Sequence, residues 1–446
     1  MIFKKNYLKL RCTNKLIYIF YNFLIFIYIL IKLLDIPEFV MFIFFILTWV
    51  YIYKTTNSLY GKNYAFIKLL FLSLPYSYIN IWGGDYSSFP LSWFWVFLIG
   101  LFLINFFKNR FIIDFSGKTA LLIVIGAFVP FLISYDYFDG FKQYINIIGF
   151  CISFIIGTSL KINWNMDKIK DIMFTYVMAA LSASLGLFIQ IYIFLSMGKI
   201  IGKIEFMASR IGFGFIFSDY SFLSLFLISA SGILINFFEK NKKLHNKKIF
   251  YRIFLIILFM TASLLTSART GIVSFFLAYI IFYILSFSDI FSFSLKNAIG
   301  AVIILFSLII LLIYGLPKLR GDILSSSGRI ESYIIGLQIF RQNPIWGCGL
   351  GVRSYKERFG FTIPHNVVIQ YLAQTGLLLT ILILILLLDI IKKAWKIKIS
   401  SIFITLLIII IGSLFIPDIL NSRFLIALNL IINSLYYSQK RGELLL

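Results

Sequence analysis

The chain has 446 residues, of which 61% are hydrophobic and only 13% are charged, and its formal net charge at pH 7 is +23. That little polar surface cannot cover soluble globular domains, so the composition excludes a soluble protein and indicates an integral membrane protein. The basic residues lie in short segments between apolar runs, a pattern that follows membrane topology and excludes a nucleic-acid-binding stripe. The three cysteines lie too far apart to indicate a disulfide framework or a metal site.

Apolar runs of about 20 residues, the length that spans a bilayer, follow one another along the chain. They predict transmembrane helices near residues 15–34, 38–53, 64–82, 91–107, 118–134, 143–160, 169–197, 218–238, 249–265, 271–287, 297–315, 365–391, 398–417 and 421–437. The second run is short and the seventh is long, so about 12–14 helices are expected. No small-residue cleavage site follows the first run, which we therefore interpret as a span and not as a removable signal. The predicted fold class is all-α, a polytopic membrane protein.

The positions of the basic residues predict the orientation. With fourteen helices and the N-terminus inside, 26 of the 41 lysines and arginines fall on the inner side and 13 on the outer side. Because positive residues are enriched on the cytoplasmic side of membrane proteins, both termini are expected in the cytoplasm.

Arginine departs from this bias. Eight of the twelve arginines, but only five of the 29 lysines, fall on the predicted outer side. Arginine carries a planar fork that binds phosphate oxygens in a bidentate manner, so this selection suggests a phosphate-bearing ligand there. Ion pairs and lipid headgroup contacts would explain about half of these arginines. Arg269 is the hardest to explain in that way, because it lies in a short turn between two apolar helices, at a depth where a charge is costly.

One long connection divides the chain into three parts. A bundle of about eleven helices, 1–315, is followed by a large outer loop, 316–364, and by about three C-terminal transmembrane helices, 365–446. Loops of this length in a compact protein are usually functional.

The large loop contains a predicted helix of its own. Arg329 stands at its start, apolar residues recur at helical spacing, and Asn343-Pro344 ends it; the apolar positions are Ile330, Tyr333, Ile334, Leu337 and Phe340. We expect a short amphipathic helix that rests on the membrane surface or caps a cavity. The glycines of Gly347-Cys348-Gly349-Leu350-Gly351 come next without a preceding strand, so they are a weak nucleotide fingerprint. They predict a flexible turn or a close backbone approach to a lipid-linked substrate.

His365 opens the helix that follows the loop. The only other histidine, His245, lies in a lysine-rich segment of the predicted cytoplasmic side. His365 could anchor at the membrane interface or cap the helix. Alternatively, it could act as a general base near neutral pH, because a helix N-terminus favours the neutral imidazole ring.

Three motifs, taken in their order along the chain, resemble those of a known family. Ser267-Ala268-Arg269-Thr270-Gly271, the segment from Gly328-Arg329 to Cys348-Gly349, and His365-Asn366 with Gly376 beyond resemble the O-antigen polymerase and ligase superfamily (Wzy and WaaL types). The similar stretch runs from about 260 to 395, a third of the chain. Leu379 stands where the family often has a second glycine, a departure that concerns helix packing more than chemistry.

The resemblance implies a metal-independent, inverting glycosyltransferase without a cofactor, acting on undecaprenyl-diphosphate-linked glycans at the periplasmic face of the bacterial inner membrane. It implies that Arg269 and Arg329 bind the diphosphate and that His365 is the base that activates the acceptor hydroxyl. Guanidinium groups would neutralise the charge that the departing diphosphate leaves. The further candidates for substrate contact are Arg210, Arg341, Arg423 and Asn366.

Three functions remain open. The first is a polymerase that transfers a growing O-antigen chain from undecaprenyl diphosphate to the non-reducing-end hydroxyl of a lipid-linked repeat unit. The second is a ligase that transfers finished polymer to lipid A core. The third is a lipid-linked oligosaccharide flippase, which would be expected to place more ionisable residues within its spans than Lys32, Asp35 and Lys68. Expected partners are these glycan lipids and membrane lipids, with a chain-length regulator protein as a candidate and no nucleic acid.

Overall fold

A computed structural model of the chain describes residues 2–86, 90–108, 113–207, 210–217, 219–236, 246–286 and 328–443. The side chains of residues 2–15 and of a few residues at element ends, Arg210 among them, lie outside this description. The predicted span near 297–315, the first part of the large loop and His245 also lie outside the described residues.

The described residues form fifteen α-helices, one β-hairpin and one 3-10 turn, as the sequence predicts for an all-α protein. The helices are α1 Ile2–Leu33, α2 Phe39–Tyr60, α3 Lys62–Leu72, α4 Trp93–Lys108, α5 Phe115–Leu132, α6 Tyr137–Ser159, α7 Met166–Met197, α8 Tyr220–Asn236, α9 Asn246–Leu265, α10 Thr270–Ser286, α11 Arg329–Gln342, α12 Val352–Phe359, α13 Val367–Ile397, α14 Ser400–Gly412 and α15 Arg423–Lys440. The antiparallel hairpin is β1 Lys203–Met207 and β2 Arg210–Phe215, and the 3-10 turn is Ile419–Asn421.

Six of the described helices are long and apolar enough to cross a membrane: α1 from Leu16, α2, α5, α6, α7 and α13. Five more are apolar but shorter, namely α4, α8, α9, α10 and α14. These helices confirm a polytopic membrane protein. The predicted span near 64–82 is shorter than expected, because α3 ends at Leu72. Pro75 follows closely, and proline cannot continue a helix.

Several of the segments that connect the helices lie at one end of the bundle. The hairpin packs against α7 and α8, and α8 packs in turn against α9, α10 and α14. Helix α13 packs against α5, α11, α14 and α15. The hairpin, the turn between α9 and α10, the segment 328–366 and the connection 413–422 therefore lie at the same end of the bundle. We call this end the loop end.

Helix α11 lies where the sequence predicts a helix in the large loop, but its packing face differs from the expected one. Ser332 and Gly336 are buried, and a Cβ atom on Gly336 would lie 2.6 Å from the Pro364 ring. Ile330 and Ile334 are 59% and 53% exposed. Small residues therefore allow a close helix approach to α13, and the Ile330 and Ile334 part of the apolar stripe faces away from the protein. This exposed stripe suits the predicted position on a membrane surface.

Helix α13 is broken at Gly376, whose backbone has φ 76° and ψ −176°. The loop segment 344–350 occupies the break. The N–H groups of Cys348 and Gly349 donate to carbonyls in the turn before the break at 2.8 and 3.2 Å, and the carbonyl of Pro344 accepts from an N–H just after it at 2.9 Å. The broken helix is tolerated because the loop satisfies the backbone groups that the break leaves open.

Two of the three glycines in this part of the loop, Gly347 and Gly349, closely approach the protein's own backbone. The predicted approach to a lipid-linked substrate stays a prediction. All three glycines have positive φ, at 69°, 102° and 120°. A Cβ atom on Gly347 would lie 2.3 Å from the carbonyl carbon of Gln374, and one on Gly349 would lie 2.8 Å from the Cα of Ser134. Gly347 and Gly349 therefore allow the segment to pack closely against α13 and the end of α5.

Candidate functional site

His365 lies immediately before α13, where the connection from the large loop enters the bundle. Asn366 caps this helix: its side-chain oxygen accepts from the N–H groups of Val368 and Ile369 at 3.0 and 3.2 Å. A helix cap of this type stabilises by about 1 kcal/mol. The cap fixes the backbone beside His365, and a substrate contact by Asn366 stays a prediction.

Arg329 and His365, predicted from distant parts of the sequence, lie together in the structure. The hydroxyl of Tyr333, one turn after Arg329 on α11, donates to the His365 carbonyl at 3.0 Å. Burial and the charge of Arg329 lower the pKa of His365 from 6.5 to about 4, while the Asp219 carboxylate acts in the opposite direction. The imidazole ring is therefore neutral at pH 7 and able to accept a proton.

Asp219 was not among the residues singled out from the sequence. It precedes α8, and its side chain accepts from the N–H of Ser221. An acidic residue at the start of an apolar run is an ordinary helix-capping signal. Its proximity to His365 arises only from the packing of α8 near the start of α13, and no local pattern indicates that packing.

The turn that carries Arg269 is fixed by the hairpin. The Ser267 hydroxyl donates to the Ile211 carbonyl at 2.8 Å, and the Phe213 N–H donates to the Thr266 carbonyl at 3.3 Å. Ser267 has a φ of 66°, which is uncommon for a residue other than glycine. Two strand contacts thus hold the turn in a tight conformation, and Arg269 is half-buried there.

Helix α8 contacts the turn that carries Arg269, and it begins near His365. Gly271, two residues after Arg269, lies against α8: a Cβ atom added to it would be 2.5 Å from the Ser224 hydroxyl. Ser224 lies in the first turns of α8, close to Asp219 at its start. The structure therefore brings Arg269, Arg329 and His365 to one region of the loop end. We call this region the candidate site.

Arg423 occupies a different environment from the one predicted for a substrate contact. It is 1% exposed, and its guanidinium lies over the rings of Tyr78 and Trp95 at 4.8 and 5.1 Å. It also donates to the Tyr86 hydroxyl at 3.1 Å and to the Asn421 carbonyl. Cation–π contacts of this kind stabilise a buried guanidinium. The side chain links α15 to the connection after α3, and a role in binding substrate stays a prediction.

Three of the remaining outer arginines lie on three different elements. Arg210 begins β2, and its side chain is outside the described part of the chain. Arg341 is exposed in the last turn of α11, twelve residues from Arg329 and so roughly 18 Å along the helix. Arg353 is exposed and pairs with Glu357 at 3.0 Å. Substrate contacts by Arg210 and Arg341 stay predictions.

A buried polar network lies beneath the loop segment. Gln143 and Gln374 exchange hydrogen bonds at 2.9 and 3.1 Å, and Gln370 donates to Gln374 at 3.0 Å. Tyr371 and Gln143 donate to the Asp418 carboxyl at 3.2 and 3.3 Å. Burial raises the pKa of Asp418 to about 7. Buried networks are stable only when their members find partners, so this one ties α6, α13 and the 413–422 connection together.

The matching family can now be compared with this geometry. Residues 253–384 match the model of the O-antigen ligase family. The resemblance to the O-antigen polymerase and ligase superfamily is confirmed. The matched range covers under a third of the chain and contains Arg269, Arg329 and His365, whereas Arg210 and Arg423 lie outside it. No curated protein matches the chain.

This match supports O-antigen polymerase- or ligase-type glycan transfer in lipopolysaccharide biosynthesis as the general function, and it suggests lipid-linked polysaccharide as the substrate class. The apolar helices indicate a multi-pass membrane protein. Within the described residues, no group of three or more His, Cys, Asp or Glu side chains is arranged to hold a metal ion. The candidate site contains the guanidinium groups of Arg269 and Arg329, and their contact with a diphosphate stays a prediction.

Two substitutions near His365 are expected to shift its pKa in opposite directions. Arg329→Gln is expected to raise the pKa of His365 above about 4, because it removes a cation that disfavours the imidazolium ion. Asp219→Asn is expected to lower the pKa further, because it removes a stabilising anion. Histidine-selective isotope labelling and an NMR pH titration would measure both shifts.

The chain suits this titration because it has two histidines, His245 and His365. His245→Gln assigns the two signals. A His365 that titrates near 6.5 in the unmodified protein, or two variants that shift it in the same direction, would contradict the described environment.

Proposed function

We propose that this protein is an O-antigen polymerase: it transfers the growing glycan from undecaprenyl diphosphate to the non-reducing-end hydroxyl of a lipid-linked repeat unit. The observation that carries the proposal is the proximity of Arg329 to a neutral His365, with the Arg269 turn at the same end of the bundle. The proposal places this end at the periplasmic face of the bacterial inner membrane and both termini in the cytoplasm, as the charge bias predicts.

In the proposed reaction, His365 accepts the proton of the acceptor hydroxyl. The hydroxyl oxygen attacks the anomeric carbon of the donor sugar, the bond from that carbon to the diphosphate oxygen breaks, and the configuration inverts. Arg269 and Arg329 neutralise the charge that develops on the leaving diphosphate. The proton leaves His365 with the product diphosphate or to water, which restores the neutral ring. No metal ion takes part in this proposal.

Binding of the donor substrate would also change the pKa of His365. A pKa of about 4 makes His365 neutral, but it also makes it a weak base at pH 7. A diphosphate bound by Arg329 would offset the positive charge that disfavours the imidazolium ion. The pKa of His365 would then rise toward the working pH when the donor is in place. The ring would become a stronger base only in the complex in which a base is needed.

The ligase is the second candidate, because the matching family model describes O-antigen ligases. Donor and leaving group are the same in both reactions, so the same residues would serve either one. Only the acceptor differs: a lipid-linked repeat unit for a polymerase and lipid A core for a ligase. The polymerase is our choice between the two, and the acceptor has to be settled by the phenotype.

A flippase remains an outcome of the test. The structure shows more ionisable residues inside helices than the sequence suggested: Lys68 pairs with Asp171 at 2.8 Å, and Lys393 pairs with Asp389 at 2.7 Å. Both lysines are 5% exposed or less, and both are held in ion pairs. Such pairs fit a structural role as well as a transport path.

Deletion of the gene separates the three functions. A strain without the polymerase is expected to make lipopolysaccharide with core plus one repeat unit. Loss of a ligase would leave bare core and polymer stranded on the carrier lipid, and loss of a flippase would trap repeat units inside. The lipopolysaccharide is compared on a gel with that of a complemented strain. Bare core in the deletion strain would overturn the polymerase assignment.

A further inference from the structure

A separate cavity lies at the end of the bundle opposite to the candidate site. Its volume is about 330 Å³, and it opens between the α2–α3 turn, the end of α4 and the α6–α7 connection. Helix α7 begins beside it and runs 32 residues to the connection that forms the hairpin. The cavity and the Arg269 turn are therefore separated by the length of α7, roughly 48 Å.

The cavity is lined by cations. Lys62, Lys161 and Lys168 contribute to its wall, and the Lys168 ammonium group is held by a hydrogen bond to the Asn163 carbonyl at 2.8 Å. Among the described lining residues there is no carboxylate. Three lysines in one cavity wall, with no carboxylate among the described lining residues, favour an anionic ligand.

Within the described residues, the two carboxylates in the first turns of α7 form no ion pair with these lysines. Asp171, one turn after Lys168 on α7, binds the ammonium group of Lys68 at 2.8 Å and accepts from the Tyr64 hydroxyl at 2.8 Å. Asp167 is exposed in the first turn of α7 and does not line the cavity. The positive charge of the cavity is thus left for a ligand.

Backbone N–H groups add to this charge. Helix α3 begins at Lys62 inside the cavity wall, and the preceding Gly61 supplies no side-chain cap. The first N–H groups of a helix have no partner within it, and they favour an anion. The N-terminus of α3 and the lysine side chains therefore both favour an anion in this cavity.

The cavity also borders an apolar surface. Ile104 of α4 lines the cavity, and Phe107, one helical turn further on the same face, is 80% exposed. Leu103, beside Ile104, is 44% exposed. A free anion gains nothing from such a surface, whereas a lipid buries its acyl chains there.

We propose that this cavity binds the phosphate headgroup of an anionic phospholipid, with the acyl chains along α4. Basic pockets between transmembrane helices on the cytoplasmic side are suited to anionic headgroups. The charge bias of the sequence predicts that this end of the bundle is cytoplasmic. The site is independent of glycan transfer, and its test does not depend on the proposed function.

The test measures lipid binding to the full-length protein in a neutral detergent. The thermal unfolding midpoint is followed against the concentration of dioctanoyl phosphatidylglycerol, dioctanoyl phosphatidylcholine or inorganic phosphate, since a ligand that binds the folded state raises the midpoint. We expect a rise with phosphatidylglycerol alone. In the double variant Lys62→Gln/Lys161→Gln, the apparent Kd should increase about 30-fold, or about five-fold for each lysine, which corresponds to about 1 kcal/mol per lysine.

The matched control is Lys118→Gln/Lys170→Gln, which removes two lysines from the same predicted side but outside the cavity. It should bind phosphatidylglycerol like the unmodified protein. Without lipid, all three proteins should unfold at the same temperature. An equal rise with inorganic phosphate would overturn the assignment to a lipid. Equal loss of binding in both double variants, or unchanged binding in both, would overturn the site.

Discussion

Replacing His365 by alanine is expected to abolish long O-antigen chains. General-base catalysis contributes about 10²–10⁴-fold to a rate, and alanine cannot accept the proton of the acceptor hydroxyl. Arg269→Ala and Arg329→Ala should each lower the rate by about 10²–10³-fold, because each removes a cation from the leaving diphosphate. The measurement is the lipopolysaccharide ladder of a deletion strain that carries each variant.

The control for this series is Arg353→Ala. Arg353 lies in the same large loop, its side chain is 83% exposed, and it pairs with Glu357. An exposed ion pair contributes about 0–1 kcal/mol, so the variant should give a normal ladder. Equal amounts of each protein in the membrane fraction would show that insertion is intact. A normal ladder from Arg269→Ala would contradict the proposal that Arg269 binds the diphosphate. A normal ladder from His365→Ala would contradict the proposal that His365 is the general base.

Hydropathy was sufficient to predict most of the helices, because a bilayer demands long apolar runs whatever their neighbours are. Helix-terminating residues were equally informative for α11, which ends at Gln342, directly before the Asn343-Pro344 pair that was predicted to stop it. The face on which α11 packs was not predictable in this way. An apolar stripe can face protein or lipid, and only the position of α13 shows that Ser332, Gly336 and Ile339 are the buried residues.

The structural features that sequence reasoning missed depend on contacts between distant residues. Asp219 precedes His365 by 146 positions, and nothing near either residue indicates that they lie together. Lys393 was not recognised as buried, since one of its two ion-pair partners, Asp114, lies at the start of another helix. Gly376 was recognised as a family feature, but the break that it allows is visible only with the loop segment beside it.

The second large effect is expected from Gly376→Ala. With φ 76° and ψ −176°, Gly376 occupies a backbone region that is essentially restricted to glycine. A Cβ atom there would lie 2.1 Å from the Ile345 carbonyl oxygen, a backbone atom that cannot move aside cheaply. Strain and displacement of the loop segment together should lower the free energy of unfolding by more than about 4 kcal/mol. Unfolding in detergent, followed by temperature or denaturant, measures the loss.

Gly360→Ala is the matched comparison, because it separates the effect of positive φ from that of the close contact. Gly360 ends α12 with a φ of 74°, and no atom lies within 4 Å of an added Cβ. Alanine there should cost only about 1–2 kcal/mol, the ordinary penalty of a left-handed residue. Similar losses from both variants would mean that the 344–350 segment does not sit in the break of α13. A much larger loss from Gly376→Ala would show that the break and the loop fold as one unit. Because His365 enters the same helix eleven residues before Gly376, that unit also sets the position of the proposed base.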